Sequence, residues 1–334
     1  MKKTVSVTVL LALVLAVPVT VLAHPYVLSL STWGSPKHPQ VTHFVPEFVK
    51  LVEQRSHGRI KFRVFSGGEM VKQRFVPTAI PQDTVDISLT TLDSWAGRIP
   101  ETSILTSPLW TWSMQQAMAG LVPGKPVFNY FQHKLEAQGA RMIAMFDIGP
   151  PVLVTNFRLR NPSDLKGHTM RVYSKGAGLV METLGAAPAT IGVGEVYSAL
   201  QRGTVQGAMG GLGGAVGLKY YEVSKYTFAP MGALGTMIHA YVMNESKFES
   251  LPPDLQKIVM ESATEARNNA ERYLISSYGS MLNTIRDHGV DVYELHRGTS
   301  QWKKWRSALE PLTKESEHAY PPKLVKMVAS DGGS

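Results

Sequence analysis

The chain has 334 residues, 44% of them apolar and 18% charged, so it is long enough for two cores and too apolar to be disordered. It contains no cysteine, which excludes disulfides, thiol catalysis and cysteine-based metal sites. The formal charge of +8 is scattered, without a basic run or a recognition motif, so no nucleic-acid partner is expected and only a mild field favouring small anions remains.

Lys2 and Lys3 precede a nearly continuous apolar run from Val5 to Val21, and Val21-Leu22-Ala23 leads to a cleavage point. Residues 1–23 read as a secretory signal peptide cut after Ala23, which sends the mature chain to the periplasm. An uncleaved anchor is the alternative, disfavoured because the run is short for a full span. Tyr26 to Leu30 is a strand candidate, followed by a Gly- and Pro-containing loop at Thr32 to Pro36. A helix over roughly 43–55 has an apolar face of Phe44, Phe48, Leu51 and Val52, with Gly58 placed to stop it. Ile60 to Phe65 alternates apolar and basic residues, as a half-buried strand does. Gly67 and Gly68 turn the chain, a helix is expected near Val76, and Asp86 to Thr90 is a short strand. This rhythm predicts an α/β fold with much parallel sheet.

The pattern restarts in the middle of the chain. Strands are expected at 141–146, 152–155 and 169–172, a turn with a short helix at 162–167, helices at 177–184 and 195–201, and a strand at 204–207. The similarity of the two halves suggests two α/β lobes. A helix of over 30 residues starts at Pro253 and runs to about His288, where Gly289 ends it, and it is long enough to span both lobes. The residues after Pro321 read as a fraying tail.

Motifs for catalysis are thin. The glycines at Gly211, Gly213 and Gly217 have the wrong spacing for a dinucleotide fingerprint, and there is no phosphate-loop lysine. No zinc-binding His-Glu-x-x-His and no Gly-x-Ser-x-Gly elbow occur. His168 and His239 read as packed or surface histidines rather than ligands. Asp147 lies at a strand end, where either a pocket role or a turn role is open. Arg171 interrupts the apolar strand Met170-Arg171-Val172, so it either points to solvent or is buried and needs an anion, for which its planar fork suits a carboxylate.

Several stretches carry a resemblance: "HGRIKFRVFSGGEM", "NPSDLKGHTMRV", "LGAAPATIGVGEVYSALQRGTVQGA", "YYEVSKY" and "LPPDLQKIV". Their order and spacing resemble the substrate-binding subunit of tripartite ATP-independent periplasmic (TRAP) transporters, the dicarboxylate-binding-protein family, over nearly the whole mature chain. The resemblance implies a two-lobed periplasmic-binding-protein fold with a ligand cleft between lobes and a long lobe-spanning helix. It places lobe I at 24–147 plus 236–275 and lobe II at 148–235 plus 276–334. It implies an organic anion as ligand, small and large TRAP membrane permease subunits as partners, a monomer, and no enzymatic activity or cofactor.

In that family Arg171 holds the position of the signature arginine that pairs with the ligand carboxylate. A second arginine common on the preceding strand is replaced by Val152. The polar residues that follow the Leu-Gln-x-Gly in relatives are replaced by Met209, Gly210 and Gly211, which cannot hold the metal some members bind, so no metal is expected. The loss of polar groups suggests a wider, more apolar cleft, with Trp33, Trp95, Phe146 and Tyr173 as candidate walls and core packing as their alternative role. The expected ligand is a carboxylate with a bulky apolar or aromatic portion. A periplasmic sensor that presents the same ligand to a receptor is the rival function. An enzyme on the same scaffold would need a nucleophile–base pair, and none stands out.

Overall fold

The computed structural model describes residues 24–34, 38, 40–110 and 112–329, so the signal-peptide segment and the C-terminal residues 330–334 lie outside the described residues. Its strands are β1 (Tyr26–Ser31), β2 (Ile60–Phe65), β3 (Ile87–Thr91), β4 (Ala140–Asp147), β5 (Pro151–Thr155), β6 (Thr169–Val172), β7 (Ala187–Thr190), β8 (Gly207–Gly211), β9 (Tyr226–Ala229), β10 (Ile238–Asn244) and β11 (Asp291–Glu294). They form a five-stranded sheet in the order β2-β1-β3-β10-β4 and a six-stranded sheet in the order β11-β9-β5-β8-β6-β7. Helices pack on both, and the result is a two-lobed α/β protein.

Hydrophobic alternation explains the first sheet. Leu28 and Leu30 of β1 are buried beside Ile60 of β2, while Lys61 and Arg63 project from the sheet edge. Charged side chains on an edge strand discourage pairing with another chain. The helix after β1 runs from Val45 to Arg55 and buries Phe48 and Val52 against this sheet.

The sheets are less parallel than the sequence rhythm suggests. β5 is antiparallel to both β8 and β9, and β10 is antiparallel to both β3 and β4. Each is the strand that enters its lobe from the hinge. A strand arriving from the cleft side must run away from it, against neighbours whose C-terminal ends face the cleft. Ile238–Asn244, a fully buried central strand, is missed by the sequence reading because its continuous apolar character has no period-2 signal. The strand expected at 204–207 begins only at Gly207 and runs to Gly211.

The long helix extends from Pro253 to Asp287, about 50 Å. Its Leu255, Val259, Ala263, Ala266 and Ala270 belong to the core of the first sheet. Its Leu274, Met281, Leu282 and Ile285 belong to a core of the second. The helices Ser300–Ala308 and Glu310–Ala319 then place Trp305, Leu309 and Leu312 against the second sheet. The expected fraying tail is instead a helix, Pro322–Ala329, whose Leu324 and Val328 lie one turn apart and are buried. They pack in the core on the first sheet, so this last helix of the 276–334 segment sits on the other lobe.

Candidate functional site

Strand direction builds the site. β1, β3 and β4 end where β6 and β8 also end, with the sheets facing each other across a cleft. Ligands in open α/β sheets gather at such carboxyl-terminal ends. The chain passes between the sheets at Ile148–Pro150, at Pro230–Met237 and through the long helix. The lobes touch across the cleft. Asp93, just beyond β3, accepts a hydrogen bond from the backbone N–H of Gly176 at 3.2 Å, and its other oxygen accepts from the Ser103 hydroxyl at 2.6 Å. Gly176 opens the helix Lys175–Thr183, and a Cβ there would come within 2.0 Å of the Thr106 hydroxyl, so only glycine permits this approach.

Arg171 is 5% exposed, which decides between its two sequence-level roles. Its Nε donates to the Ile191 carbonyl at 2.8 Å and its Nη1 to the Met209 carbonyl at 2.9 Å. Burial lowers its pKa, and the charges that act on it are the hydroxyls of Tyr220 and Tyr173. No carboxylate of the described residues pairs with it, and its Nη2 donates to none of them. A guanidinium so placed is a strong anion receptor, because an unpaired buried cation is costly. A Cβ at Gly210 would lie 3.6 Å from Nη1, so the glycine leaves that side of the guanidinium open.

The cleft end of the first lobe carries a cluster of uncharged rings. Trp33 packs edge-on against His38 at 5.7 Å and against His239 at 5.3 Å between ring centroids. His239 is fully buried and meets Phe146 edge-on at 6.2 Å. Desolvation lowers the pKa of His38 to about 4 and of His239 to about 3, the latter with a contribution from His38, so both imidazoles are neutral. The Trp33 Nε1, the His38 Nδ1 and both ring nitrogens of His239 are buried without hydrogen-bond partners. His38 reaches the second lobe, since a Cβ on Gly214 would lie 3.4 Å from its Nε2. Beside His239 in the sheet, Thr91 accepts a hydrogen bond from the Gln73 amide at 2.6 Å. The sequence does not single out His38, and it leaves His239 a packed or surface histidine. Neither carries a periodic or motif signal, and only burial of unpartnered nitrogens distinguishes them.

The sequence-expected residues divide. Arg171, Tyr173, Gly210 and Gly211 gather at the second lobe's strand ends. Tyr173 packs against the cores of both lobes and feels the charges of Asp93, Arg171 and Asp147, with burial pushing its hydroxyl far above the usual range. Trp33 and Phe146 belong to the buried core of the first sheet at its cleft end, with Phe146, 1% exposed, stacked on Phe44 and Tyr241. Trp95 does not join them: it is buried in the core on the other face of the first sheet, and its Nε1 donates to Thr90 at 3.2 Å. Met209 offers its carbonyl to Arg171 while its side chain packs in a core of the second lobe. Val152 stands opposite Gly210 in the β5–β8 ladder and is buried. His168 stacks on Phe157 with centroids 3.6 Å apart, away from this group.

A separate cavity of about 310 Å³ opens at the hinge, lined by Trp110, Asp147, Thr236, Ile275 and Tyr278 among others. Arg171 is not part of it. Because its walls come from the crossing segments, its shape is tied to the angle between the lobes.

Two α/β lobes hinged on crossing strands, with a buried arginine at their facing strand ends that no carboxylate of the described residues pairs with, have the architecture of a bilobed binding protein. The protein belongs to the bacterial extracellular solute-binding proteins of family 7, whose profile matches residues 30–319. It is 26% identical over 308 residues to the C4-dicarboxylate-binding periplasmic protein DctP of Rhodobacter capsulatus, covering 91% of this chain and 90% of that one. A TRAP periplasmic solute-binding protein from Shewanella oneidensis with bound succinate superposes with a TM-score of 0.83 at 18% identity, covering 92% of this chain and 100% of its own. Another from Desulfovibrio salexigens, with bound orotic acid, gives 0.81 at 24% identity, covering 91% and 97%. The chain is thus an extracellular solute-binding protein, of a family of substrate-binding transport proteins rather than enzymes.

Proposed function

We propose that this protein captures a small organic carboxylate between its lobes, with Arg171 as the cationic anchor, and delivers it to TRAP membrane permease subunits. The observation that carries this reading is the Arg171 guanidinium, held in place by two carbonyls and buried without a carboxylate partner. An anion entering the cleft supplies the missing charge, and closure of the lobes then strengthens the pair by excluding water. The ligand carries an apolar or aromatic body. Gly210 and Gly211 withhold side chains from the second lobe's wall, while Trp33 and Tyr173 are the rings nearest the strand ends. Succinate and orotic acid are both accommodated by structural relatives of this fold, so the scaffold itself admits slender and ring-shaped acids. The signal segment 1–23 directs the chain to the periplasm, where it acts as a monomer.

Arg171→Ala tests the anchor. Removing one partner of a buried charge pair costs about 2–5 kcal/mol, so affinity for a carboxylate found in a thermal-shift screen of organic acids falls at least about thirtyfold by calorimetry. Near wild-type affinity in a folded variant removes Arg171 from the site.

A further inference from the structure

The facing wall holds polar groups that the anchor does not explain. We propose that Trp33, His38 and His239 form an uncharged recognition subsite that selects ligands whose end distal to the carboxylate is a neutral hydrogen-bonding group, such as a carboxamide, and disfavours a second carboxylate. This rests on the reading of Arg171 as the anchor.

Geometry comes first. Trp33 packs edge-on against His239 at 5.3 Å and against His38 at 5.7 Å, at the cleft end of the first sheet. His38 meets the second lobe at Gly214, and Tyr173 links the two walls by packing on both cores while feeling Arg171. Buried polar atoms in folded proteins are nearly always hydrogen-bonded, so an exception calls for an explanation. Here the Trp33 Nε1, the His38 Nδ1 and the His239 Nδ1 and Nε2 are exceptions gathered on touching rings. A ligand group in the closed cleft accounts for them together.

Chemistry then narrows that group. A neutral imidazole presents one N–H donor and one bare acceptor nitrogen, and an indole presents a donor. A carboxamide has both an acceptor oxygen and N–H donors and can satisfy the mixed set. A carboxylate only accepts, so it would face a bare nitrogen. It would also add a negative charge near Asp93 and Asp147, which already act on Tyr173. Arg171 is committed to the first carboxylate, and no described cation is seen beside Trp33, His38 and His239, so a second carboxylate there would be buried without a counter-charge. Burial holds both histidines neutral, which removes the remaining means of compensating it.

The test compares ligands that share a carboxylate and a body and differ at the far end. 4-Carbamoylbenzoate, 4-methylbenzoate and terephthalate form an aromatic set; glutaramate, pentanoate and glutarate form an aliphatic one. Calorimetry on the wild-type protein is expected to show the carboxamide binding at least about tenfold tighter than both counterparts in one set, because buried polar groups reject an analogue that leaves them unpaired. His239→Phe is expected to erase that preference, so that within the variant the carboxamide binds no tighter than its methyl counterpart. His239→Gln keeps part of it, and Trp33→Phe, which removes only the indole N–H and some ring area, weakens it. If His239→Phe does not fold, the other two variants carry the comparison. A dicarboxylate that binds best, a carboxamide no better than its methyl counterpart, or variants that weaken every ligand equally overturns the subsite and leaves the anchor standing. Failure of every acid in both sets to bind, or unchanged binding in Arg171→Ala, overturns the anchor as well.

Discussion

Gly210 controls how much of the Arg171 guanidinium a ligand can reach. Its φ is not positive, and a Cβ there would stand at an ordinary 3.6 Å from Nη1, so a side chain fits without backbone strain. Gly210→Asn is therefore expected to leave the melting temperature within a degree or two of wild type, because the change relieves a strand glycine while adding a polar group near a cation. The amide narrows the cleft and occupies a donor of Arg171. Affinity for ring-bearing acids falls several-fold while that for small acids holds or rises, a reversal that competition calorimetry would reveal. An unchanged ranking of ligands would place Gly210 outside the site. By contrast Gly207, on the same strand, could not tolerate even a methyl group: a Cβ would lie within 2.8 Å of Met170 and Thr155. The difference between these glycines is invisible in the sequence, where both belong to one glycine-rich stretch. Arg171 was legible there because a guanidinium within Thr-Met-Arg-Val stands out against apolar neighbours. His239 was not, because no motif marks a histidine within Ile-His-Ala-Tyr-Val, and only its unpartnered nitrogens set it apart.

Among the elements, the long helix shows both what periodicity reveals and what it hides. Its Pro-initiated start and glycine stop were legible, and they match Pro253–Asp287 within a residue or two. Hidden was a charged knot where it passes the hinge. Arg267 and Glu271, one turn apart and each 1% exposed, form an ion pair at 2.7 Å. Arg267 also donates to the Met145 carbonyl at 2.9 Å, and Glu271 accepts from the Asp147 backbone at 3.0 Å. Asp147 accepts in turn from the Gly149 N–H at 2.8 Å and from the Thr236 hydroxyl, which joins both crossing strands to the helix. Two carboxylates share one guanidinium, so burial favours keeping a proton among them: it raises Glu271 to about 8 and Asp147 to about 6, against the pull of Arg267. Between the unfolded value of 4.5 for Glu271 and its folded value of about 8, the folded state holds more protons than the unfolded chain. Stability carried by this group is thus complete below the unfolded value and is lost as pH rises through that window. Urea midpoints are expected to fall between pH 5 and pH 8, and Glu271→Gln, which cannot ionise, flattens the fall. A wild-type midpoint that climbs over the same range, or a variant with the same slope, would show that the knot is fully ionised in the folded protein.

At the scale of the whole molecule the chain ties its lobes together more often than the sequence suggested. Beyond the crossing strands and the long helix, the helix Ser300–Ala308 extends Arg306 to the Pro108 carbonyl of the first lobe. The helix Pro322–Ala329 then returns to that lobe and inserts Leu324 and Val328, both fully buried, beside Val127, Phe131 and the other apolar side chains of its core. Lys323 and Lys326 break up the apolar residues of this segment; the spacing of Leu324 and Val328 was the signal of a packed face. A chain ended after Tyr320 is the direct test of this strap. Full burial of a leucine or valine is worth about 1.5–3 kcal/mol, so losing both removes roughly 3–6 kcal/mol before any relaxation. For a protein of this size that lowers the melting temperature by roughly 5–10 °C. The truncation leaves Arg171 and the strand ends in place, so a carboxylate ligand still raises the melting temperature of the shortened chain, by linkage, as it does for the full one. Loss of the ligand-induced rise along with the stability would mean that the strap also holds the cleft in its closing geometry. A melting temperature unchanged within about a degree would mean that the last helix rests on the core without contributing to it.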